Sequence, residues 1–448
     1  MKNVFLVLIC ALAVTGHLSA QSLSLKQCIE YARQNNSNIK TASIDAEISS
    51  RKVVEQIGSA LPQIDVTNTL TDNLSVATSL LPGALLGRTE EFIPIKMGTQ
   101  YNATSTLSLT QKVIDGSFWV GLSAAQISKR HSQLQLSQSE ESTGYDVCIA
   151  YIRTLVIQKQ LENLRVILSV SKQVLESTEL KYRSGLARSV DVDKIRVSYN
   201  STRSQVQQTE MVHTQALNLL KYAMGMPTNN DISPSDSLSN VDAQFDQRSS
   251  DETPNFRRRF DYQLLEANLD AQEAVRKSTI TDYLPTLSFT ANYSYNAMRQ
   301  NFDIFEGGKE WFQNSAIGLT LKIPIFSGFQ RLSRLGASQL EVQKAKEAIR
   351  LKEQTIEIER SNNQLQLQTA LDNISIEMEN LQLAQRVYEI TQLEYAQGTS
   401  STLALVQAEG ALRDAQNNYY NRLSSLYTAQ LDKKKAEGTL LSYINNLK

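Results

Sequence analysis

Four segments of the chain alternate apolar and polar residues with a period of two. From residue 287 to 297 the odd positions are Leu, Phe, Ala, Tyr, Tyr and Ala, and the even positions are Ser, Thr, Asn, Ser and Asn. Residues 64–74, 101–110 and 317–323 show the same alternation. This pattern predicts strands with one apolar and one polar face, arranged as two hairpins of about ten residues per strand. Residues 76–98 and 299–312 would hold the connecting turns.

A second pattern, with apolar residues three and four positions apart, fills two long tracts that contain no proline, residues 95–226 and 325–448. The tracts predict helices whose apolar seams are like those of coiled coils. One helix would run from about Ser117 to Ser184, roughly 100 Å at 1.5 Å per residue. The period breaks at Gly185 and Gly398 and then resumes. Each long helix is therefore expected to turn back as a hairpin, with both turns, the hairpin tips, at one end.

The sequence contains one half-unit twice. Gly185 and Gly398 are 213 residues apart (398 − 185), and two later glycines repeat that spacing. The recurring elements are LKYRSGL at 180–186 and LEYAQGT at 393–399, Leu61-Pro62 and Leu284-Pro285, and Gly225 and Gly438. A repeat of this length predicts two copies of one helix and strand arrangement, neither of which closes a structure alone.

The first twenty residues are typical of a secretory signal peptide, since Lys2 precedes an apolar stretch and small residues lead to a cleavage site after Ala20. The other predicted segments follow from the repeat. They are a first-half helix (21–60), strand hairpin 1 (61–112), the first long helical hairpin (113–225, tip near 185–188), a linker (226–258), a second-half helix (259–283), strand hairpin 2 (284–325), the second long helical hairpin (326–438, tip near 398–401) and a C-terminal tail (439–448).

Composition removes some classes of function. Without Lys2, the 45 basic residues become 44 against 46 acidic ones, and this balance is unlike the basic footprint of a nucleic-acid-binding protein. No apolar run after residue 20 is long enough for a membrane helix, so strands would have to meet any bilayer. Cys28 and Cys148 are interpreted as unpaired packing residues.

Four strands cannot enclose a useful bore, and the open edges of their sheet would be costly in hydrocarbon. The pattern therefore predicts that several chains share one barrel, with the Ser, Thr, Asn and Lys positions lining a polar bore. A soluble sheet with one wet face is the alternative. Aromatic residues near the strand ends favour the membrane interpretation, as in interfacial girdles. They are Tyr101, Tyr293, Tyr295, Trp311 and Phe312.

In their order along the chain, these motifs resemble the TolC family of outer-membrane efflux proteins. The resemblance rests on the duplicated Leu-Pro before each strand hairpin, on PIFSG at 324–328, and on Tyr-x-x-Gly at 182–185 and 395–398. It implies a mainly α-helical chain, whose long hairpins form an α-barrel and whose four strands contribute to a shared trimeric β-barrel. It implies an outer-membrane location with most of the chain in the periplasm.

The same resemblance implies a function and partners. The protein would be the exit duct of a tripartite efflux pump and would conduct small molecules passively. Its partners would be two further copies in a homotrimer, a periplasmic adaptor (membrane fusion) protein, an inner-membrane transporter and outer-membrane lipid. The candidate adaptor-docking residues at the hairpin tips are Tyr182, Gly185, Leu186, Tyr395, Gly398 and Thr399. The motifs at the strand boundaries are Pro62, Pro285, Pro324 and Gly328.

The chain departs from the family at its expected gate. In the family, acidic residues just after the second tip often narrow the periplasmic entrance, but here Ala404 and Gln407 stand at those positions. Acidic residues follow the first tip instead. Carboxylates in a narrow mouth would attract cations, whereas in the first turn of a helix they would complement its dipole, and both interpretations stay open. The candidate entrance residues are Arg188, Asp191, Asp193, Ser400 and Gln407.

Other classes of function were weighed. The only histidines after the predicted cleavage site, His131 and His213, lie in helical tracts, and no nucleophile and base can be paired. We therefore expect no enzymatic activity, cofactor or metal site. A soluble periplasmic coiled-coil scaffold would explain the helices but not the strands. The exit duct of a type I protein secretion system is the remaining alternative.

Overall fold

The computed structural model describes residues 21–82, 84, 87–88, 91–238 and 256–447. The predicted signal peptide and the middle of the predicted linker lie outside the described residues. The helices are α1 (Leu25–Asn35), α2 (Ser37–Gly58), α3 (Gly116–Arg183), α4 (Ser189–Met224), α5 (Phe260–Thr281), α6 (Gln330–Gln397), α7 (Thr402–Ala436) and α8 (Leu440–Asn445). The strands are β1 (Gln21–Leu23), β2 (Gln63–Asp72), β3 (Thr78–Pro82), β4 (Phe92–Lys96), β5 (Tyr101–Ile114), β6 (Ile232–Pro234), β7 (Thr286–Arg299) and β8 (Phe312–Lys322).

The proline-free tracts form two helical hairpins of matching size. Helices α3 and α6 each contain 68 residues, and their partners α4 and α7 contain 36 and 35. This agreement confirms the mainly helical fold and the duplication. None of the helices in the described part of the chain combines the length and the apolar character needed to span a bilayer.

Four strands form one antiparallel sheet in the order β2-β5-β7-β8, so the two halves of the chain meet between β5 and β7. The edge strands β2 and β8 each have one neighbour among the described residues. The register aligns polar with polar and apolar with apolar positions. Thr67, Thr106, Ser294 and Asn314 form one polar row across all four strands. The sheet therefore has the two contrasting faces that the alternation predicts.

Three local features differ from the sequence-based expectation. The connection at 76–98 is not a simple turn, because β3 and β4 pair within it as a second hairpin. Strands β1 and β6 form a short parallel pair that was not predicted. Tyr293 lies in the middle of β7 rather than near a strand end. Short segments interrupted by Pro82 and Pro94 give too little alternation to be recognised as strands, and proline argues against them.

The chain divides into two compact units. Unit 1 comprises residues 1–46, 132–266 and 348–448, and unit 2 comprises residues 47–131 and 267–347. Unit 2 contains the four-stranded sheet. Unit 1 contains both hairpin tips and the largest apolar cluster, which includes Cys28 and Cys148. Both cysteines are free, and burial, followed by the nearby Cys28 thiol, raises the pKa of Cys148 to about 12.

Unit 1 also preserves the duplication where each hairpin ends. Gly225 and Gly438 follow α4 and α7 with positive φ angles of 71° and 69°. A Cβ atom on Gly225 would lie 2.8 Å from the carbonyl oxygen of Asn35, and one on Gly438 would lie 3.1 Å from the amide nitrogen of Arg259. Glycine is thus required at both positions by its backbone angle and by the close packing of the preceding segment.

Candidate functional site

The two hairpin tips have the same backbone conformation. At the first tip, the Leu186 amide donates to the Lys181 carbonyl over 2.7 Å, and the Gly185 amide donates to the Tyr182 carbonyl over 3.0 Å. At the second, Thr399 donates to Glu394 over 2.9 Å and Gly398 to Tyr395 over 3.1 Å. This paired arrangement is the Schellman motif, which needs a left-handed residue after the helix. Gly185 and Gly398 supply it, with φ angles of 74° and 79°.

The helices that return from the tips begin differently. At the second tip, Ser401 caps α7, because its hydroxyl accepts a hydrogen bond from the Ala404 amide over 3.1 Å. At the first tip, the cap position of α4 holds Arg188, whose side chain makes no capping hydrogen bond. The Arg188 guanidinium instead reaches Asp191 in the first turn of α4, where Nε donates to Oδ2 over 3.0 Å. A charged pair thus takes the place of a neutral cap.

Asp191 joins the two hairpins. Its side chain is only 15% exposed, although that of Arg188 is 78% exposed. Hydrogen bonding to Arg188 lowers the pKa of the Asp191 carboxyl, and a further hydrogen bond from Thr402, at the start of α7, acts in the same direction. Thr402 itself is buried. The structure therefore brings Arg188, Asp191 and Thr402 together at the point where both returning helices begin.

The other candidate entrance residues have different surroundings. Asp193 is exposed and acts on Arg196, which forms an ion pair of 2.8 Å with Glu179 of α3. Gln407 is exposed on α7, and the amide of Ser400 donates to the Glu394 carbonyl over 3.3 Å within the second turn. Of the five candidates, Arg188 and Asp191 are the pair that the structure joins directly.

Among the candidate docking residues, the two tyrosines occupy equivalent positions but unequal environments. The Tyr395 hydroxyl lies 2.9 Å from Thr178 Oγ1 on α3, and the Lys181 ammonium lies 5.2 Å from the Tyr395 ring centroid. Tyr182 is 50% exposed, and Leu186 is more exposed still. Tyr395 thus fastens one hairpin to the other, while the first tip presents a tyrosine and a leucine to its surroundings.

A buried polar cluster farther along the hairpins was missed by the sequence reasoning. The Thr202 hydroxyl on α4 donates to Glu409 Oε1 on α7 over 2.8 Å, and Arg413 Nη1 donates to Thr202 over 3.0 Å. Glu409 and Thr202 are both buried. Burial, and then the charge of Glu409, raise the pKa of the Tyr388 hydroxyl. A Glu and an Arg four residues apart in the apolar seam were the available signal.

The motifs at the strand boundaries lie where strands begin or end. Pro62 and Pro285 directly precede β2 and β7, and Pro324 follows the end of β8 by two residues. Gly328, with φ of 59°, precedes α6. Proline fits these places because it lacks the amide that a strand interior would use.

The polar face of the sheet is the second element of the candidate site. Side chains bond across its strands, with the Thr104 hydroxyl donating to Asn296 Oδ1 over 2.9 Å and the Thr106 and Ser294 hydroxyls 3.0 Å apart. Such a face offers hydroxyl and amide groups to water or solutes. Within the described residues, no cluster of three or more His, Cys, Asp or Glu side chains provides a metal site.

Comparison with known sequences places these features in context. The model of the outer membrane efflux protein family matches residues 28–226 and 257–438. Outer membrane protein TolC of Vibrio cholerae is 20% identical over 440 residues, covering 96% of this chain and 94% of that protein. TolC of Escherichia coli is 21% identical over 458 residues, covering 98% of this chain and 87% of that protein.

Solved structures share the fold at lower identity. The outer membrane protein VceC from Vibrio cholerae superimposes with a TM-score of 0.73 and 16% identity, covering 92% of this chain and 96% of that one. The CmeC outer membrane channel of Campylobacter jejuni gives a TM-score of 0.74 and 18% identity, covering 93% of this chain and 85% of that one.

Proposed function

Because this chain belongs to the outer membrane efflux protein family, we propose that it forms the outer-membrane exit duct of a tripartite efflux pump. Small molecules expelled by an inner-membrane transporter would leave through it passively. The observation that carries this proposal is the sheet of unit 2, in which polar positions are in register on one face and both edges are open.

The open edges support completion of the barrel by other copies. In hydrocarbon, each unpaired backbone group at a sheet edge costs several kcal/mol. Strands β2 and β8 run antiparallel to one another through the alternation of the sheet, so β8 of one copy can pair with β2 of the next. Three copies give a closed barrel of four strands each, the homotrimer that the family resemblance implies.

The helices support the same assembly. Apolar side chains are exposed at seven-residue intervals on α6, and a similar stripe follows α4. Seven-residue spacing is the spacing of coiled-coil seams, which pack against another helix. The exposed residues are Leu351, Ile358, Leu365, Ile376, Leu383 and Ile390 on α6, and Val190, Val197 and Met211 on α4.

The hairpin tips are the proposed contact with the periplasmic adaptor. The exposed Tyr182 and Leu186 supply an apolar surface at the first tip, and the second tip presents Thr399 beside Gly398. We assign the periplasmic entrance to the residues where α4 and α7 begin, with Arg188, Asp191 and Thr402 holding the two hairpins together. Since a passive duct adds no selective step of its own, the choice of cargo lies with the transporter behind it.

A matched pair of neighbouring substitutions tests the duct. Thr106→Arg places a charge on the polar face, and Leu107→Arg places the same charge on the apolar face. We expect the Thr106 variant to assemble and to conduct less in planar bilayers, because its side chain narrows the bore. The Leu107 variant should fail to yield a membrane-inserted trimer, since arginine on a lipid face costs about 2–4 kcal/mol at the bilayer centre.

The mass of the detergent-extracted complex, measured from alkali-washed envelopes, reports assembly in both variants and in the wild type. A wild-type protein released by alkali without detergent would mean a soluble sheet and would refute the duct. The reverse pattern, with normal assembly of the Leu107 variant and none of the Thr106 variant, would exchange the two faces.

A further inference from the structure

The apolar row of the sheet continues past the end of its last strand. Strand β8 ends at Lys322 because Pro324 has no amide to donate. The alternation nevertheless persists to Ile323 and Ile325, and both side chains are exposed, Ile325 by 93%. An apolar surface that faces lipid along β8 therefore extends beyond the hydrogen-bonded sheet.

An aromatic pair follows this extension. The rings of Phe326 and Phe329 meet edge to face, with their centroids 5.8 Å apart, and both remain more than two-thirds exposed. Phe329 has a φ angle of 63°, the left-handed region that a bulky side chain rarely adopts. Such strain is retained where it serves a role, and here it keeps a large apolar ring in the open.

The first half repeats the arrangement with different residues. LTQKV at 109–113 corresponds to LTLKI at 319–323, and the same offset of 210 aligns Trp119 with Phe329. Phe118 and Trp119 also meet edge to face, at 5.2 Å, and Trp119 is 70% exposed. Each half of the chain thus carries one exposed aromatic pair directly after its last strand. We call the four residues the aromatic collar.

Strand length places the collar relative to the hydrocarbon. The 11 residues of β8 rise roughly 37 Å along the strand and about 26 Å across the membrane at a barrel tilt near 45°. The apolar band of an outer-membrane barrel is about 25 Å high. The strand alone fills that band, so the residues four and seven positions beyond Lys322 fall at its boundary, where aromatic rings favour the headgroup layer.

We propose that the aromatic collar lies in the phospholipid headgroup layer of the periplasmic leaflet and sets the depth of the sheet in the membrane. This inference rests on the proposed function, because it requires the sheet to lie in the bilayer. The collar is continuous with the lipid-facing row through Ile323 and Ile325, which favours lipid over a protein partner as its occupant.

The chain contains only two tryptophans, so fluorescence can read individual positions. Trp311→Phe leaves Trp119 as the sole reporter. A Phe326→Trp change in a background of Trp119→Phe and Trp311→Phe reports the second pair. Ile317→Trp in that background serves as a reference at the middle of β8, and Leu186→Trp serves as a reference at the exposed first tip. Each full-length variant is reconstituted in vesicles of phosphatidylcholine brominated either near the headgroup or near the end of the acyl chain.

We expect both collar reporters to be quenched about twofold more strongly by bromine near the headgroup than by bromine near the chain end, as rings in the interfacial layer should be. The reporter at 317 should show the opposite preference, and the reporter at 186 should not be quenched by either lipid. Quenching at 317 without quenching at the collar would overturn the collar and leave the duct standing. Absence of quenching at 317 as well would overturn the membrane sheet, and with it the collar.

Discussion

The two hairpin tips share one backbone and differ in their side chains. Both end in a Schellman motif with glycine in the left-handed region. The second tip is secured within the chain by the Tyr395 bond to Thr178 and by the Ser401 cap. The first tip leaves Tyr182 half exposed and replaces the cap with a charged pair. Duplication has kept what the backbone needs and has left the side chains free to specialise.

The segments packed against the hairpin ends show the same division. Asn36 and Arg259 are 223 residues apart (259 − 36), the same spacing as Pro62 and Pro285. In the first half, the buried Asn36 side chain donates to the Ala223 carbonyl over 2.8 Å. In the second, Arg259 donates to both oxygens of Asp261 and contacts Glu359 at 2.7 Å. A neutral contact in one half is thus an ionic network in the other.

The largest effect is expected where backbone angle and close packing act together. Gly225→Ala introduces a Cβ 2.8 Å from the Asn35 backbone at a positive φ. Overpacking and the left-handed angle together should lower the free energy of unfolding by about 3 kcal/mol. Gly185→Ala has the same type of φ but open space around its Cβ, so its loss should be about 1 kcal/mol.

Denaturant unfolding of the detergent-solubilised protein measures both variants. Equal losses would mean that packing against Asn35 contributes nothing and that the two glycines are kept by backbone angle alone.

The ionic network should make the second half sensitive to acid. Burial opposes ionisation of Asp261, but the hydrogen bonds from Arg259 and Lys352 outweigh it and lower the pKa of the carboxyl to about 2. A lowered folded-state pKa stabilises the protein above the unfolded value near 3.8, and that stability is lost as pH falls towards 2. Asp261→Asn should cost about 1–2 kcal/mol at neutral pH and flatten this part of the acid-unfolding profile.

The matched control is Asn38, the residue equivalent to Asp261 by the same spacing of 223. Asn38→Ala removes no charge, so any loss of stability should be the same at pH 6 and pH 3. An acid profile that is unchanged by Asp261→Asn would place the acid sensitivity elsewhere.

The sequence predicted the backbone better than the contacts between distant segments. Helix ends at Gly185 and Gly398 were predictable because only glycine suits the left-handed turn, and the strands were predictable from their alternation. The pairing of β1 with β6 was not, since three residues give no period. The contact of Asp191 with Thr402 was not predictable either, because it joins two hairpins across more than 200 residues. Local rules determine the elements, whereas tertiary packing chooses the partners of polar side chains.

A smaller effect should separate the two tip tyrosines. Tyr395→Phe removes the hydrogen bond to Thr178, and a net loss of about 0.5–1.5 kcal/mol is expected. Tyr182→Phe should change stability by less, since the side chain is half exposed and carries no such bond at this tip. In crosslinking to the adaptor the order should reverse, with Tyr182→Ala weakening capture more than Tyr395→Phe. Equal effects of both tyrosines in both measurements would remove the distinction between a fastened and a presented tip.

The smallest expected effect on stability, and the most informative for the entrance, concerns the acids after the first tip. Asp191 is fixed by Arg188 and Thr402, whereas Asp193 is exposed beside Arg196. If the contact with Thr402 holds the hairpins together, Asp191→Asn and Thr402→Val should both raise single-channel conductance, and Asp193→Asn should not. Because the pKa of Asp191 is lowered, its effect should persist across the neutral range and fade only in acid. A change in cation selectivity caused by Asp193→Asn alone would instead assign the entrance to exposed charge. Unchanged conductance in all three variants would leave both acids as partners of the helix dipole.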